Sequence, residues 1–230
     1  MQKVRSAQNG RIPIRGVIFD YGNVLCHMQQ PSDLEAMAQI CGIATPRLQE
    51  LYWKFRLPYD RGDLTAQAYW QAVAGEAGLV FSQEQIAKLI WLDTQGWARP
   101  NEKTIKWAGQ LRRAGLRLAL LSNMPRDLSQ YLVANGGWVP YFHHLTFSCD
   151  VRMVKPDPAI YQACLKSLEV APEEVLFLDD LAPNIEAAEK LGIHSVLFDT
   201  IELTAARVGE RFDLPLPDFL AEPEPSALAK

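Results

Sequence analysis

The sequence predicts an α/β protein in which a doubly wound parallel sheet carries an inserted bundle of helices. A short run of β-branched and aromatic residues, 17–19, ends at Asp20 and is typical of a strand buried on both faces. Region 28–97 then shows helical patterns only, and helix and strand patterns alternate after Pro100. The alternation predicts the parallel sheet, and the position of region 28–97 marks it as an insertion after the first strand.

Four amphipathic helices are predicted in region 28–97. Three of them begin with a recognised signal: Thr45 followed by proline, Thr65, and Ser82 with Gln85 three residues later, which is a capping box. Four helices without an intervening strand are typical of a small bundle. Because the bundle follows the first strand directly, we expect it to lie over the carboxyl edge of the sheet as a cap.

The second part of the chain contains strand patterns at 116–121, 144–148, 175–178 and 195–198. We therefore predict a core domain made of residues 1–27 and 98–211, with a cap domain of residues 28–97 between its two parts. Residues 212–230 are rich in proline and acidic side chains, which predicts an extended or disordered tail.

The composition argues against several classes of protein. Of the 230 residues, 48% are hydrophobic and 22% are charged, as in ordinary globular proteins. A net charge of -4 without a basic stripe argues against nucleic-acid binding. No apolar run approaches the roughly 18 residues of a membrane span, and four cysteines without a Cys-x-x-Cys pair argue against a disulfide framework. Because no apolar signal sequence is evident, we expect a cytoplasmic monomer or homodimer with a small-molecule substrate.

Polar side chains follow three of the predicted strands. Asp20 ends the first, Ser122 and Asn123 end the second, and Asp179 and Asp180 end the fourth. The carboxyl ends of parallel strands meet at one edge of a sheet, so these groups are expected to converge there. Three carboxylates in a partly desolvated crevice repel each other and need a cation between them. An all-oxygen set of ligands completed by water and substrate suits Mg²⁺.

Four sequence motifs, in this order, resemble those of the haloacid dehalogenase (HAD) superfamily. They read DYGNV, LLSN, KPDPAIY and FLDDLAPNIEAA, and the resemblance covers residues 16–200. It implies a HAD-like Rossmannoid core with a helical cap, and a hydrolase that uses an Asp nucleophile on phosphate esters. The Asp-x-Gly-Asn form of the first motif resembles members that are regarded as sugar-phosphate phosphatases.

The resemblance also implies a role for each matching residue. Asp20 would attack phosphorus and form an aspartyl-phosphate, which divides the reaction into two steps. Mg²⁺ would be held by the Asp20 side chain, the backbone carbonyl of Gly22 and the Asp180 carboxylate. Asp179 would support the metal directly or through water.

The substrate-binding residues implied by the resemblance lie in the core and the cap. Ser122, Asn123 and Lys155 would hold the phosphoryl group of a small phosphorylated metabolite. Asn184 would support the loop of the fourth motif. In the cap, Arg61 is a candidate for binding a phosphate or a carboxylate, with a solvated position equally open, whereas for Arg56 we favour a solvated surface position.

One position departs from the pattern of the family. Its phosphatases usually carry a second Asp two residues after the nucleophile, as the general acid and base, and here that position is Gly22. General acid–base catalysis typically contributes about 10²–10⁴-fold, so we expect a slow phosphatase or a substitute group. His27 is a candidate substitute, against a surface or hinge position for the same side chain. Esters of acidic alcohols, such as anomeric sugar phosphates, need less protonation and are the expected substrates.

Two other functions remain open on sequence grounds. A 2-haloacid dehalogenase would use the same Asp20 to attack carbon without a metal, but such enzymes usually replace the acidic pair of the fourth motif with a serine. Asp179 and Asp180 therefore favour metal and phosphate. The other alternative is a binding or regulatory protein on a catalytically impaired scaffold, in which Gly22 marks the loss of catalysis.

The tryptophans of the predicted cap are expected to be structural. Trp53, Trp70, Trp91 and Trp97 fall at helical spacing or at helix ends. Bulky aromatic side chains at such positions more often fill packing contacts than stack on a ligand.

Overall fold

The computed structural model describes residues 10–220 of the chain. The strands of this part are β1 (Ile12–Pro13), β2 (Gly16–Phe19), β3 (Arg117–Ser122), β4 (His144–Phe147), β5 (Val175–Asp179), β6 (His194–Leu197) and β7 (Phe212–Asp213). The α-helices are α1 (Pro31–Cys41), α2 (Thr45–Lys54), α3 (Arg56–Asp60), α4 (Ala66–Glu76), α5 (Gln83–Trp97), α6 (Glu102–Arg113), α7 (Arg126–Asn135), α8 (Ser148–Val151), α9 (Pro158–Leu168), α10 (Ala182–Glu189) and α11 (Ile201–Arg211).

The main sheet has five strands, all parallel, in the order β4-β3-β2-β5-β6. Strand β2 lies at its centre, where the winding of the chain changes direction. Phe19 at the end of β2 lies opposite Leu120 of β3 and Leu178 of β5, so the three strands end close together. This arrangement confirms the α/β fold class predicted from the sequence. Within the described range, no helix is both long and apolar enough to cross a membrane.

The two faces of the sheet pack into separate hydrophobic clusters. Val17 and Phe19 of β2 face a cluster that includes Trp107 of α6, and Ile18 faces a second cluster that includes Tyr161 of α9. Neighbouring residues of a strand point to opposite faces, and all three of these β2 residues are fully buried. A contiguous apolar run is therefore what a central strand with helices on both sides requires.

Helices α1 to α5 pack around a hydrophobic cluster of their own. Its largest buried side chains include Tyr52, Tyr69 and Trp70. The predicted capping signals form as expected: Thr65 accepts from a backbone N–H in the first turn of α4, and Ser82 and Gln85 form a capping box at α5. The sequence patterns missed α3, a short fifth helix in this region.

Helix α3 is where the helical insertion meets the core. Ser148 Oγ donates to the backbone oxygen of Asp60 at 2.5 Å and accepts from the backbone N–H of Met124 at 2.9 Å. Gly62 has a φ of 79°, and a Cβ there would lie 2.7 Å from the backbone oxygen of Cys149. Only glycine allows this backbone conformation together with such a close approach. The end of α3 is thereby fixed directly to the core.

The first residues of the segment predicted to be an extended or disordered tail are part of the fold. Phe212 and Asp213 form β7, which pairs in parallel with β1, and Phe212 is fully buried. Trp107 Nε1 also donates to the backbone oxygen of Pro215 at 2.9 Å. The preceding helix, α11, was not predicted. Residues 221–230 of the predicted tail lie outside the described residues.

Candidate active site

A buried lysine lies between two carboxylates at the carboxyl edge of the sheet. Lys155 Nζ is 2.7 Å from Asp20 Oδ1, at the end of β2, and 2.6 Å from Asp179 Oδ2, at the end of β5. The three residues are 4%, 6% and 0% exposed, respectively, so water screens these charges little. The structure thus brings together three of the residues that the sequence predicted to converge.

Side-chain and backbone hydrogen bonds hold this group in place. Asn123 accepts from the backbone N–H of Lys155 at 2.8 Å and donates to its carbonyl oxygen at 2.9 Å. Asp179 accepts from Asn184 Nδ2 at 2.9 and 3.1 Å and from the backbone N–H of Leu181 at 2.9 Å. Both oxygens of Asp179 are therefore engaged, and the carboxylate acts mainly to position Lys155 and the loop after β5.

The protonation of this group reflects its burial. Burial raises the pKa of Asp20 to about 7, the charge of Lys155 opposes the rise, and the charge of Asp179 adds to it. Burial alone would lower the pKa of Lys155, but the charges of Asp20 and Asp179 raise it above its ordinary value. Lys155 is consequently a permanent cation of the site.

Asp20, Asp179 and Asp180 form a cluster that fits a hard cation. One oxygen of each carboxylate lies within 4.8 Å of the others. The three carboxylates outnumber the one lysine among them, and burial raises the pKa of Asp180 as well. Oxygen donors with this excess of negative charge are the donors that Mg²⁺ prefers. Because Asp179 is engaged elsewhere, Asp20 and Asp180 are the side chains best placed to hold the ion.

Asn23 supports the same cluster, and sequence analysis gave it no role. Its backbone is left-handed, with a φ of 56°, and its Nδ2 donates to Asp180 Oδ2 at 3.1 Å. Asparagine tolerates this conformation better than most residues. The sequence signal that could have indicated this role is an Asn directly after a glycine in a tight turn.

Asp20 and Asp180 of this cluster lie on the floor of a cavity of about 360 Å³ between the core and the helical insertion. Most of the predicted site residues line this cavity: Asp20, Gly22, Ser122, Asn123, Lys155, Asp180 and Asn184. Three candidates do not. Asp179 is fully buried and is not part of the cavity wall. Arg61 pairs with Asp63 and its side chain is 40% exposed, and His27 is exposed outside the cavity wall. The structure thus provides no site contact for Arg61 or His27.

Arg56, rather than Arg61, faces the cavity, and the expectation of a solvated Arg56 is wrong. Its guanidinium is buried and donates to Asp60 at 2.8 Å, to Asp93 at 3.1 Å and to the hydroxyl of Tyr52. Burial raises the pKa of Asp60, which also lines the cavity, to about 6, although Arg56 opposes the rise. Arg56 is therefore a buried cation held by two carboxylates, and it forms a fixed part of the cavity wall.

A parallel α/β sheet with this acidic cluster and lysine at its carboxyl edge defines a hydrolase-type site below a helical cover. The family model of haloacid dehalogenase-like hydrolases matches residues 14–192. The chain therefore belongs to the haloacid dehalogenase-like hydrolases, and the resemblance seen in its four motifs is confirmed at the level of the family.

Individual relatives differ in how much of them the chain covers. It is 29% identical to (S)-2-haloacid dehalogenase 2 of Pseudomonas sp. (strain CBS-3), over 87% of this chain and 90% of that protein. It is 34% identical to mouse acyl-CoA dehydrogenase family member 10 over 46% of this chain, but spans only 10% of that protein. Among solved structures, a HAD family enzyme from Bacteroides thetaiotaomicron in complex with magnesium and inorganic phosphate has a TM-score of 0.64 and 23% identity, over 83% of this chain and 98% of that one.

Proposed function

We propose that this protein is a Mg²⁺-dependent phosphomonoesterase in which Asp20 is the nucleophile. The observation that carries the proposal is the arrangement of Asp20, Lys155 and Asp180 on the floor of one cavity, with the oxygens of the acidic cluster within 4.8 Å of each other. Asp20 and Lys155 alone would serve several reactions. The additional carboxylates are what a phosphoryl-transfer site with a divalent cation requires. The structural neighbour that was solved with magnesium and phosphate supports the same interpretation.

The reaction proposed for these residues has two steps. An Asp20 oxygen forms a bond to phosphorus while the bond from phosphorus to the alcohol oxygen breaks, and the leaving alkoxide takes up a proton from water. Water then attacks phosphorus, inorganic phosphate leaves, and the Asp20 carboxylate is restored. Lys155 offsets the negative charge of Asp20 and of the phosphoryl group, and Ser122 and Asn123 line the cavity beside them. Bound Mg²⁺ would supply further neutralisation of the phosphoryl oxygens.

Phosphate release is expected to depend on a divalent cation. With p-nitrophenyl phosphate as substrate, EDTA should reduce the rate to background, and excess Mg²⁺ should restore it, because the acidic cluster needs a cation to admit a phosphate dianion. Asp180→Asn should raise the Mg²⁺ concentration needed for half of the maximal rate by about tenfold or more. Asp150→Asn, an exposed aspartate outside the cavity, is the matched control. Unchanged turnover in EDTA would contradict the proposal.

Gly22→Asp should accelerate the enzyme on esters with poor leaving groups. A Cβ at Gly22 would meet only a Trp97 ring atom at 3.8 Å, an ordinary contact, so the backbone accommodates the substitution. The new carboxyl group would act as a general acid, and we expect about a 10²-fold gain for alkyl phosphates and a much smaller gain for p-nitrophenyl phosphate. Gly22→Asn has the same size but no proton to transfer, and should show no such gain.

If Gly22→Asp leaves alkyl phosphates unaffected, an existing group already protonates the leaving alcohol. Asp60 is then the residue to test, because it lines the cavity and its pKa is raised to about 6 by burial. That result would contradict the expectation of a missing acid without affecting the assignment of Asp20.

Dehalogenation is the second candidate function, and the relation to (S)-2-haloacid dehalogenase 2 over 90% of that protein favours it. Asp20 would attack the carbon that carries the halogen, and the buried Arg56 would face the substrate from the opposite wall. Chloride release from (S)-2-chloropropionate in the presence of EDTA is the measurement that distinguishes it. Chloride release without phosphate release would replace the phosphatase proposal.

A further inference from the structure

The wall of the cavity is polar at one end and apolar over most of the rest. The polar end is formed by Asp20, Asp180, Ser122, Asn123 and Lys155. Above them the wall is formed by large apolar side chains from both the core and the helical insertion: Met28, Trp53, Leu57, Met124, Leu128 and Leu181. The cavity is therefore complementary to an amphiphilic ligand that has one charged end and an apolar body.

Four of these apolar side chains are exposed to solvent. Met28, Trp53, Leu57 and Leu181 are 46%, 51%, 52% and 55% exposed, although each is large enough to contribute to a hydrophobic core. They come from three separate parts of the chain and meet at one cavity. Single exposed apolar residues are common on protein surfaces, but a group that converges on a cavity marks a binding site. Trp53 packs edge-to-face against Tyr52, with ring centroids 5.1 Å apart, and the rest of its side chain is left exposed at the cavity.

The same wall offers few partners for the hydroxyl groups of a sugar. Apart from the polar end, the charged groups of the described cavity wall are Arg56 and Asp60. Arg56 Nε donates to Asp60 Oδ1 at 2.8 Å. Arg56 is further engaged by Asp93 and Tyr52. A site that binds a polyol needs free donors and acceptors, because buried hydroxyl groups without partners reduce binding.

We infer that the substrate is a phosphomonoester of an apolar alcohol, with its phosphate at the Asp20–Lys155 end and its hydrocarbon body against Trp53, Leu57, Met28 and Leu181. This inference rests on the proposed phosphatase function and replaces the sugar phosphate expected from the sequence motif. The cavity volume of about 360 Å³ lies in the range of small-molecule sites.

A series of primary alkyl phosphates tests the inference. The leaving alcohols of ethyl, butyl and hexyl phosphate and of glucose 6-phosphate are all primary, so the series compares mainly the bound body. We expect kcat/KM to rise about two- to fourfold for each methylene from ethyl to hexyl, as burial of apolar surface predicts. Hexyl phosphate should exceed glucose 6-phosphate by tenfold or more. Equal values along the alkyl series, or a preference for glucose 6-phosphate, would overturn the inference while the phosphatase proposal stands.

Two tryptophan variants locate the apolar body. Trp53→Ser should lower the ratio of kcat/KM for hexyl over ethyl phosphate by about tenfold, because it removes apolar wall area. Trp91→Ser changes an equally exposed tryptophan, 60% exposed on α5, which does not line the cavity, and should keep the wild-type ratio. The same ratio in both variants would overturn the placement at Trp53. Phosphate release from no ester would instead overturn the proposed function, and the inference with it.

Discussion

Asp20→Asn is expected to abolish phosphate release while the protein stays folded. A carboxamide cannot form the acyl-phosphate that splits the reaction in two, and loss of a covalent nucleophile typically costs about 10⁴-fold or more. The fold should tolerate the change because burial raises the pKa of Asp20 to about 7, and a neutral amide of the same size avoids the cost of burying that charge. Lys155 keeps its contact with Asp179 at 2.6 Å.

Asp150→Asn is the matched control for this substitution. Asp150 lies on α8 with its side chain 49% exposed, and its removal should change neither the rate nor the melting temperature. Trapping of beryllofluoride at the nucleophile, measured by fluorine NMR, should occur in the control and be lost in Asp20→Asn. Residual turnover above a few per cent of wild type, in a preparation free of the wild-type protein, would show that Asp20 is not the nucleophile.

The sequence predicted the position of Asp20 well because the evidence for it is local. Val17, Ile18 and Phe19 are contiguous and apolar, which only a strand buried on both faces requires, and the chain breaks at Gly22. The convergence with Asp179 then follows from the geometry of parallel sheets, in which strand ends meet at one edge. Lys155 reaches the same edge from the loop between α8 and α9.

The different roles expected of the two adjacent carboxylates came from the family resemblance and not from a local pattern of this kind. Asp179 and Asp180 are identical in type, and their difference arises from partners distant in sequence: Lys155 for Asp179 and Asn23 for Asp180. Spacing in the sequence indicates that both carboxylates lie near the edge of the sheet. It does not indicate which of their oxygens already accept hydrogen bonds.

Arg56 shows a similar limit. A solvated surface position was expected for it, yet its burial depends on Asp93, which lies 37 residues away on α5, and on Tyr52. The order of the segment after α11 likewise depends on a distant element, because Phe212 pairs with Ile12. Contacts of this kind form only when separate elements pack, and residue type alone carries no sign of them.

Lys155→Met is expected to cause the largest loss of stability among the variants considered. The substitution keeps an apolar stem of similar length but leaves Asp20 and Asp179 as buried carboxylates without their cation. Removing one partner of a buried ion pair typically costs about 3–5 kcal/mol of unfolding free energy, because the remaining charge is uncompensated. Urea unfolding in EDTA is the measurement.

Lys103→Met is the control, because it removes a salt bridge on the surface instead of a buried one. Lys103 pairs with Glu202 at 2.6 Å, but both side chains lie in solvent, 61% and 45% exposed, so the loss should be about 1 kcal/mol or less. A Lys155→Met variant that is no less stable than Lys103→Met would show that the buried carboxylates are compensated by other means.

Mg²⁺ provides a second test of the same cluster. Without Lys155, the acidic group should bind the cation as its main source of positive charge, and a ligand that binds only the folded state raises stability with its concentration. Millimolar Mg²⁺ should therefore raise the unfolding free energy of Lys155→Met by more than that of wild type. The double variant with Asp20→Asn should recover part of the loss in EDTA, because one of the two unpaired carboxylates is removed. Equal responses to Mg²⁺ in wild type and Lys155→Met would mean that the cation and the lysine do not act on the same carboxylates.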